Sequence, residues 1–316
     1  NLSQKLKETG FVVITASHKQ SKALRLTDML LTVLQKGKNS DVVLVDTYST
    51  SNFWYAYAVA FLCRKLSLKY IPILHGGNLP QRLKNSPKAS KAIFENAYVN
   101  VAPSSYLKKA FQNAGYKNVE YIPNHIELES YPFKERKTIR PRLLWVRAFA
   151  EIYNPLLAIK VLEHLLKEYS TAHLCMVGPK KDASWEKCRD YAQNKKLPVS
   201  FTGRLNKEDW HKKAEEYDIF INTTTIDNSP MSVIEAMALG LPVISTNVGG
   251  IPYLIENGKD GVLVPPNDVK SMKNELVILL ENPVLSNELT INARKKVEKF
   301  DWKDVKKQWM DLLIRI

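Results

Sequence analysis

Two acids stand eight residues apart where carboxylates are costly. Glu235 lies among Val233, Ile234, Ala236, Met237, Ala238 and Leu239, on a segment too apolar for a surface helix. A carboxylate there is either paired or turned towards a polar ligand. Asp227 sits in the polar stretch Thr223-Thr224-Thr225-Ile226-Asp227-Asn228 that precedes it. Ser229 is the expected N-cap and Pro230 the first helical residue, where a missing N–H costs nothing. Free N–H groups at Ser229, Met231, Ser232 and Val233 would then suit a phosphate. Gly240 is expected to close the helix and Pro242 to bar its continuation. The alternative is a structural Glu235 in a buried ion pair, with a loop that only caps a helix.

The order Asp227-x7-Glu235, Ala236-Met237-Ala238-Leu239-Gly240-Leu241-Pro242-Val243-Ile244 and Gly249-Gly250-Ile251-Pro252 resembles the signature of glycosyltransferase family 4. The resemblance implies an α/β protein of GT-B fold, two doubly wound Rossmann-like domains facing a cleft. It implies a retaining glycosyltransferase that moves a sugar from a nucleotide-diphosphate sugar to a glycan or lipid-linked acceptor. By the same resemblance Glu235 holds the ribose hydroxyls and Asp227 touches the transferred sugar. Arg147 meets the diphosphate, Gly203-Arg204-Leu205 cradle the base through backbone groups, and His75 lines the cleft near the sugar. Three departures stand out: Asp227 replaces the usual Glu, Ile152 the usual lysine, and Tyr253 a common Glu. Arg204 is a candidate compensating cation for Ile152.

No Asp-x-Asp pair occurs in the chain, so no catalytic metal and no cofactor beyond the donor are expected. Arg147 and backbone N–H groups would meet the leaving-group charge. Two alternatives stay open: another GT-B enzyme such as a nucleotide-sugar epimerase, and a non-catalytic protein that binds a nucleotide sugar or a membrane.

The elements that must position these residues alternate between strand and helix. Strands are expected at residues 11–16, 41–46, 70–74, 99–102 and 119–123, with helices over 25–34 and 53–66. Such alternation indicates a parallel sheet with helices on both faces. Functional loops then lie at the carboxyl ends of strands, which singles out His75-Gly76-Gly77-Asn78 after the third of these. Residues 80–94 carry Arg82, Lys84, Lys88 and Lys91 and could be an amphipathic, membrane-facing segment, but Pro87 argues against one continuous helix. In the second half, strands are expected at residues 143–146, 174–177, 199–202, 219–222 and 243–245, with Asn154 and Pro155 opening a helix and Asp268 another.

Residues 129–140 read as an interdomain linker. The expected domains are 1–140 on the acceptor side, 141–302 for the nucleotide sugar, and a helix at 303–316 that crosses back to the first. The resemblance also implies a strand and a glycine-rich loop ahead of residue 1.

The 316 residues, 45% apolar, suffice for two cores of ordinary domain size. The longest unbroken apolar run, Phe53 to Cys63, is too short to span a bilayer. Three cysteines with no metal-ligand spacing fit a reducing cytosol. The net charge of +14 is uneven: residues 1–140 carry 21 Lys and Arg against 9 Asp and Glu, a balance of +12, and the rest +2. That points to an anionic partner for the first half, either a membrane face or a lipid-phosphate acceptor, with solvated lysines as the alternative. No nucleic-acid motif accompanies the charge. A cytoplasmic place, peripheral on the inner membrane face, is expected.

Overall fold

The computed structural model describes residues 2–316, and the chain divides into two compact units. Of the described residues, the first comprises 2–102, 110–120 and 316; the second comprises 103–109 and 121–315. The first holds strands β1 (Val43–Thr47), β2 (Tyr70–Leu74), β3 (Asn100–Ala102) and β4 (Val119–Tyr121), in the order β1-β2-β3-β4. Every residue of β2 is buried, as expected of a strand covered on both faces. The Phe53–Lys65 helix buries Phe53, Ala56, Val59, Ala60 and Cys63. Pro87 divides the basic segment into two short helices, Leu79–Asn85 and Pro87–Phe94.

One expected strand is absent. Residues 11–16 form no strand, and Val12 and Ile14 are 96% and 54% exposed. β-branched composition describes what fits a pleated surface and cannot by itself provide a neighbouring strand.

The second unit carries six strands: β5 (Arg142–Val146), β6 (His173–Val177), β7 (Val199–Gly203), β8 (Ile219–Asn222), β9 (Val243–Thr246) and β10 (Val262–Val264). All their pairings are parallel, in the order β10-β9-β8-β5-β6-β7. Alternate side chains serve opposite faces. Leu143 and Trp145 join one core with Leu162, Met176, Ile221 and Leu276. Leu144 faces the other, with Phe220, Val233, Met237 and Ile251.

The polar stretch 129–140 is packed instead of free. Tyr131 is 1% exposed and Arg136 4%. The Arg136 guanidinium donates to the carbonyls of Lys134, Ala214, Tyr217, Leu239 and Gly240 at 2.6–3.2 Å and lies 3.7 Å from Asp218. Burial lowers its pKa to about 10, against the opposing pull of Asp218. The three cysteines are buried and unbridged. Among the described residues no helix is long and apolar enough to cross a membrane.

Candidate functional site

The strand order of the second unit reverses between β5 and β8: chain order runs outwards through β6 and β7 on one side and through β9 and β10 on the other. The crevice beyond the carboxyl ends of such strands is where ligands bind in open α/β sheets. Arg147 follows β5, Gly178 follows β6, Gly203 ends β7, and Thr223 follows β8.

These strand ends are locked together. Arg147 N–H donates to the Val177 carbonyl at 3.0 Å, and Gly178 N–H to the Gly203 carbonyl at 2.8 Å. A Cβ on Gly178 would land on the Arg147 carbonyl, so close backbone approach explains this glycine. The loop after β8 is anchored from below, where Trp145 Nε1 donates to Thr223 Oγ1 at 3.0 Å. Thr223 Oγ1 in turn donates to the Tyr153 carbonyl at 2.9 Å, and Thr225 N–H to the Ile152 carbonyl at 2.8 Å. Ile152 thus contributes its backbone to holding the loop, while its side chain is 44% exposed.

Arg147 and Asp227, expected in separate roles, are directly ion-paired. Both side chains are mostly buried, and the guanidinium also lies 4.8 Å from the Tyr153 ring centre. The paired glycines expected to be part of the signature pack against the acid-bearing loop. A Cβ on Gly249 would strike the Asp227 backbone and one on Gly250 the Asn228 carbonyl, while Gly250 N–H donates to the Asp227 carbonyl at 2.9 Å. Gly250→Ala should therefore displace the loop. A shift near 1 Å at reacting groups costs about a hundredfold in rate, and steady-state turnover of the variant should fall on that order. Native turnover would show that the loop tolerates the added methyl.

The helix start is shifted from expectation. Pro230, not Ser229, is the N-cap residue, and the helix spans Met231–Ala238 with no side-chain cap. A proline ring has no oxygen to offer, so only its carbonyl serves, accepting Val233 N–H at 3.1 Å and Ile234 N–H at 3.2 Å. Val233 N–H is thereby used internally, leaving those of Met231 and Ser232 for a ligand. Gly240 does take the left-handed conformation, at φ 73°.

Arg147, Gly178, Arg204, Leu205, Trp210 and Ser232 line one pocket of about 320 Å³, together with Ala148 and Tyr153. Arg147 Nε and Ser232 Oγ are buried there without a hydrogen-bond partner. Buried donors left unsatisfied cost free energy. Phosphate oxygens, which only accept, would satisfy both.

Glu235, 7% exposed, is paired within the protein. Its Oε1 accepts the Tyr131 hydroxyl at 2.7 Å and lies 3.3 Å from Lys207 Nζ. The His211 ring packs 4.5 Å from that of Tyr131, and burial holds the His211 pKa below its ordinary value. Tyr131, Lys207 and His211 were not singled out from the sequence. Tyr131 lay in the presumed linker, and neither of the other two carried a motif.

His75 belongs to the first unit. Its Nε2 lies 2.9 Å from Asp46 Oδ1, and its ring stacks on Tyr48 at 5.3 Å. Gly76 follows it, where a Cβ would meet Ser49 N at 2.5 Å. Among the described residues no three His, Cys, Asp or Glu side chains are grouped so as to hold a metal ion.

The chain is similar to several known proteins. The chain is 24% identical over 196 residues to the UDP-Gal:alpha-D-GlcNAc-diphosphoundecaprenol alpha-1,3-galactosyltransferase of Escherichia coli, covering 57% of this chain and 49% of that protein. It is 26% identical over 263 residues to the amylovoran biosynthesis glycosyltransferase AmsK of Erwinia amylovora, covering 78% and 64%. With sulfoquinovosyl transferase SQD2 of Arabidopsis thaliana it shares 33% identity over 110 residues, 34% of this chain and 22% of that one. The chain thus spans between about a fifth and two thirds of these relatives' lengths.

The crystal structure of Anabaena HepE in complex with UDP-glucose superposes with a TM-score of 0.79 at 17% identity, covering 99% of this chain and 88% of that one. A glycosyltransferase from Rickettsia africae gives 0.74 at 17% identity, covering 99% and 86%. At this identity the likeness establishes the fold, two parallel α/β sheets of GT-B type. The model of the family described as glycosyl transferases group 1 matches residues 129–296, a span that holds β5 to β10, Arg147, Asp227 and Glu235. More than half of the sequence is thereby matched, and the chain belongs to the glycosyl transferases group 1 family.

Proposed function

We propose that the chain performs retaining transfer of a sugar from a nucleoside-diphosphate sugar to a glycan or lipid-linked acceptor, with a uridine nucleotide as the donor. The observation that carries the reading is the pocket at the ends of β5 to β7, where Arg147 Nε and Ser232 Oγ are buried without partners. A diphosphate offers only acceptor oxygens, and a guanidinium presents a planar fork of donors to them. Arg204, on the same pocket wall, supplies the second cation that Ile152 does not. The N–H groups of Met231 and Ser232 add the dipole of a helix start. Gly203, with φ 72°, turns the chain so that backbone groups of residues 203–205 can meet the base.

In the reaction the bond from the anomeric carbon to the diphosphate oxygen breaks. The acceptor oxygen bonds to that carbon on the same face, and the acceptor proton passes to the departing phosphate. Arg147 stabilises the charge that collects on the leaving group, as preorganised donors do. Asp227, held by Arg147, is assigned to the transferred sugar and Glu235 to the ribose; His75 is retained as a catalytic side chain. The uridine assignment is supported by the structures of HepE in complex with UDP and with UDP-glucose, and by the E. coli relative named for UDP-Gal.

The basic excess of residues 1–140, with Lys84, Lys88 and Lys91 exposed on two short helices, suits an anionic membrane face presenting a lipid-linked acceptor from the cytoplasmic side. Calorimetric titration with UDP, GDP and ADP tests the donor. UDP should bind with a Kd between about 1 μM and 1 mM, the usual range for substrates. Mass spectrometry of a reaction with UDP-sugars and a lipid-extract acceptor should show a product heavier by one sugar. Binding of none of the three nucleotides would sink the reading.

A further inference from the structure

The Glu235 carboxylate is held from one side. Tyr131 donates to Oε1 at 2.7 Å, and Lys207 Nζ lies 3.3 Å from the same oxygen. Lys207 also donates to the Tyr131 oxygen at 3.1 Å. The three groups close a triangle on Oε1, and no residue among those described bonds Oε2. A carboxylate has about four lone-pair sites, and burying one is costly unless the remaining sites are satisfied. The side left open is the side a ligand donor would complete, and the two neighbouring hydroxyls of a ribose are donors of that kind.

Tyr131 is well placed to set the orientation. Its ring is 1% exposed and packed by His211 at 4.5 Å, so its hydroxyl has one available position. Burial, reinforced by Glu235, pushes its pKa far above the ordinary phenol value, which keeps the hydroxyl a donor. Lys207 has a side chain 68% exposed, so its ammonium reinforces the triangle from the solvent side at modest energy.

We infer that Tyr131 is a positioning residue for nucleotide recognition: its hydroxyl, backed by Lys207, turns Glu235 so that Oε2 meets the vicinal hydroxyls of the ribose. The inference rests on the reading of Glu235 as the ribose acceptor.

Calorimetry with UDP and with 2′,3′-dideoxyuridine 5′-diphosphate reads the ribose contribution as a ratio of affinities, which general loosening of the fold would not change selectively. The native chain should prefer UDP by at least about tenfold, the effect of a hydrogen bond to a charged group. Glu235→Ala should abolish the preference. Tyr131→Phe keeps the ring and should reduce the preference below about threefold, and Lys207→Met should reduce it part of the way.

A preference lost in Glu235→Ala but intact in Tyr131→Phe would overturn the role of Tyr131 while leaving Glu235 on the ribose. Equal affinities in the native chain, or no UDP binding, would overturn the reading of Glu235 and this inference with it. Should Tyr131→Phe fail to fold, Lys207→Met carries the same comparison on an exposed side chain, and an unchanged preference there overturns the inference.

Discussion

Sugar transfer should fall by at least about a hundredfold when Arg147 is replaced by alanine, the cost of losing one preorganised donor to a developing negative charge. Arg147→Lys keeps the charge but not the planar fork, and should lose about tenfold. The guanidinium holds Asp227 and lies over Tyr153 while its Nε remains free of protein partners. Alanine therefore removes the proposed phosphate ligand and also strands a largely buried carboxylate. The pair Arg147→Ala/Asp227→Asn isolates the stability effect alone, because the amide carries no charge to strand. Chemical denaturation should show that the double variant regains stability lost by the single one, while turnover stays at least about a hundredfold down. Native turnover in Arg147→Lys would show that the fork is not used.

Arg136→Ala should destabilise the second unit by about 3–5 kcal/mol, the range for removing one partner from a buried ionic network. Five carbonyls lose a donor at once, those of Ala214 and Leu239 keeping a backbone one, and Arg140 remains as the partner of Asp218, 2.7 Å from Oδ2. For a unit of this size the melting temperature should drop by on the order of 10 °C. Arg136→Lys should recover little, since one ammonium cannot reach carbonyls contributed by residues 134, 214, 217, 239 and 240. Two of those carbonyls, Leu239 and Gly240, belong to the end of the helix that carries Glu235, so UDP binding should weaken along with stability. A melting temperature within about 2 °C of native, less than 1 kcal/mol for a unit of this size, would mean that the carbonyls find other donors.

The same two arginines show what is legible in a sequence of this kind. Arg147 was singled out through the family resemblance, and it directly follows the buried strand β5, at the point where α/β sheets place ligands. Arg136 was missed because its neighbours Lys134, Glu135 and Lys137 read as solvent-facing, and the carbonyls that bury it lie up to 104 residues away in the chain. Strand β2 was readable because a short continuous apolar run reports burial on both faces, while the helix from Phe53 carries an equally apolar run with Trp54 and Phe61 about half exposed. Residues 11–16 carry the same β-branched signal, yet pairing depends on a neighbouring edge that composition does not encode. Glu235 announced itself as an anomaly on an apolar helix. Its partners did not, since Tyr131 is 104 residues distant and Lys207 is one of many lysines. Capping rules placed the helix start within one residue, and the difference decided which N–H groups are free.

The wholly parallel sheet of the second unit also governs how the chain can be made. Its central pairing joins β5 to β8, Leu143 to Ile219, a separation of 76 residues, whereas β5, β6 and β7 can pair as soon as they emerge. At about 5–20 residues per second, a ribosome leaves roughly 4 to 15 seconds during which one edge of β5 has no neighbour. Leu143, Leu144 and Trp145, all fully buried at the end, are open to other chains throughout that interval. Contacts this distant also slow folding from the denatured state, because loop closure must precede any gain from pairing. Yield of folded protein should therefore depend on translation speed and chaperone supply through the interval between β5 and β8 more than on the final stability of the sheet.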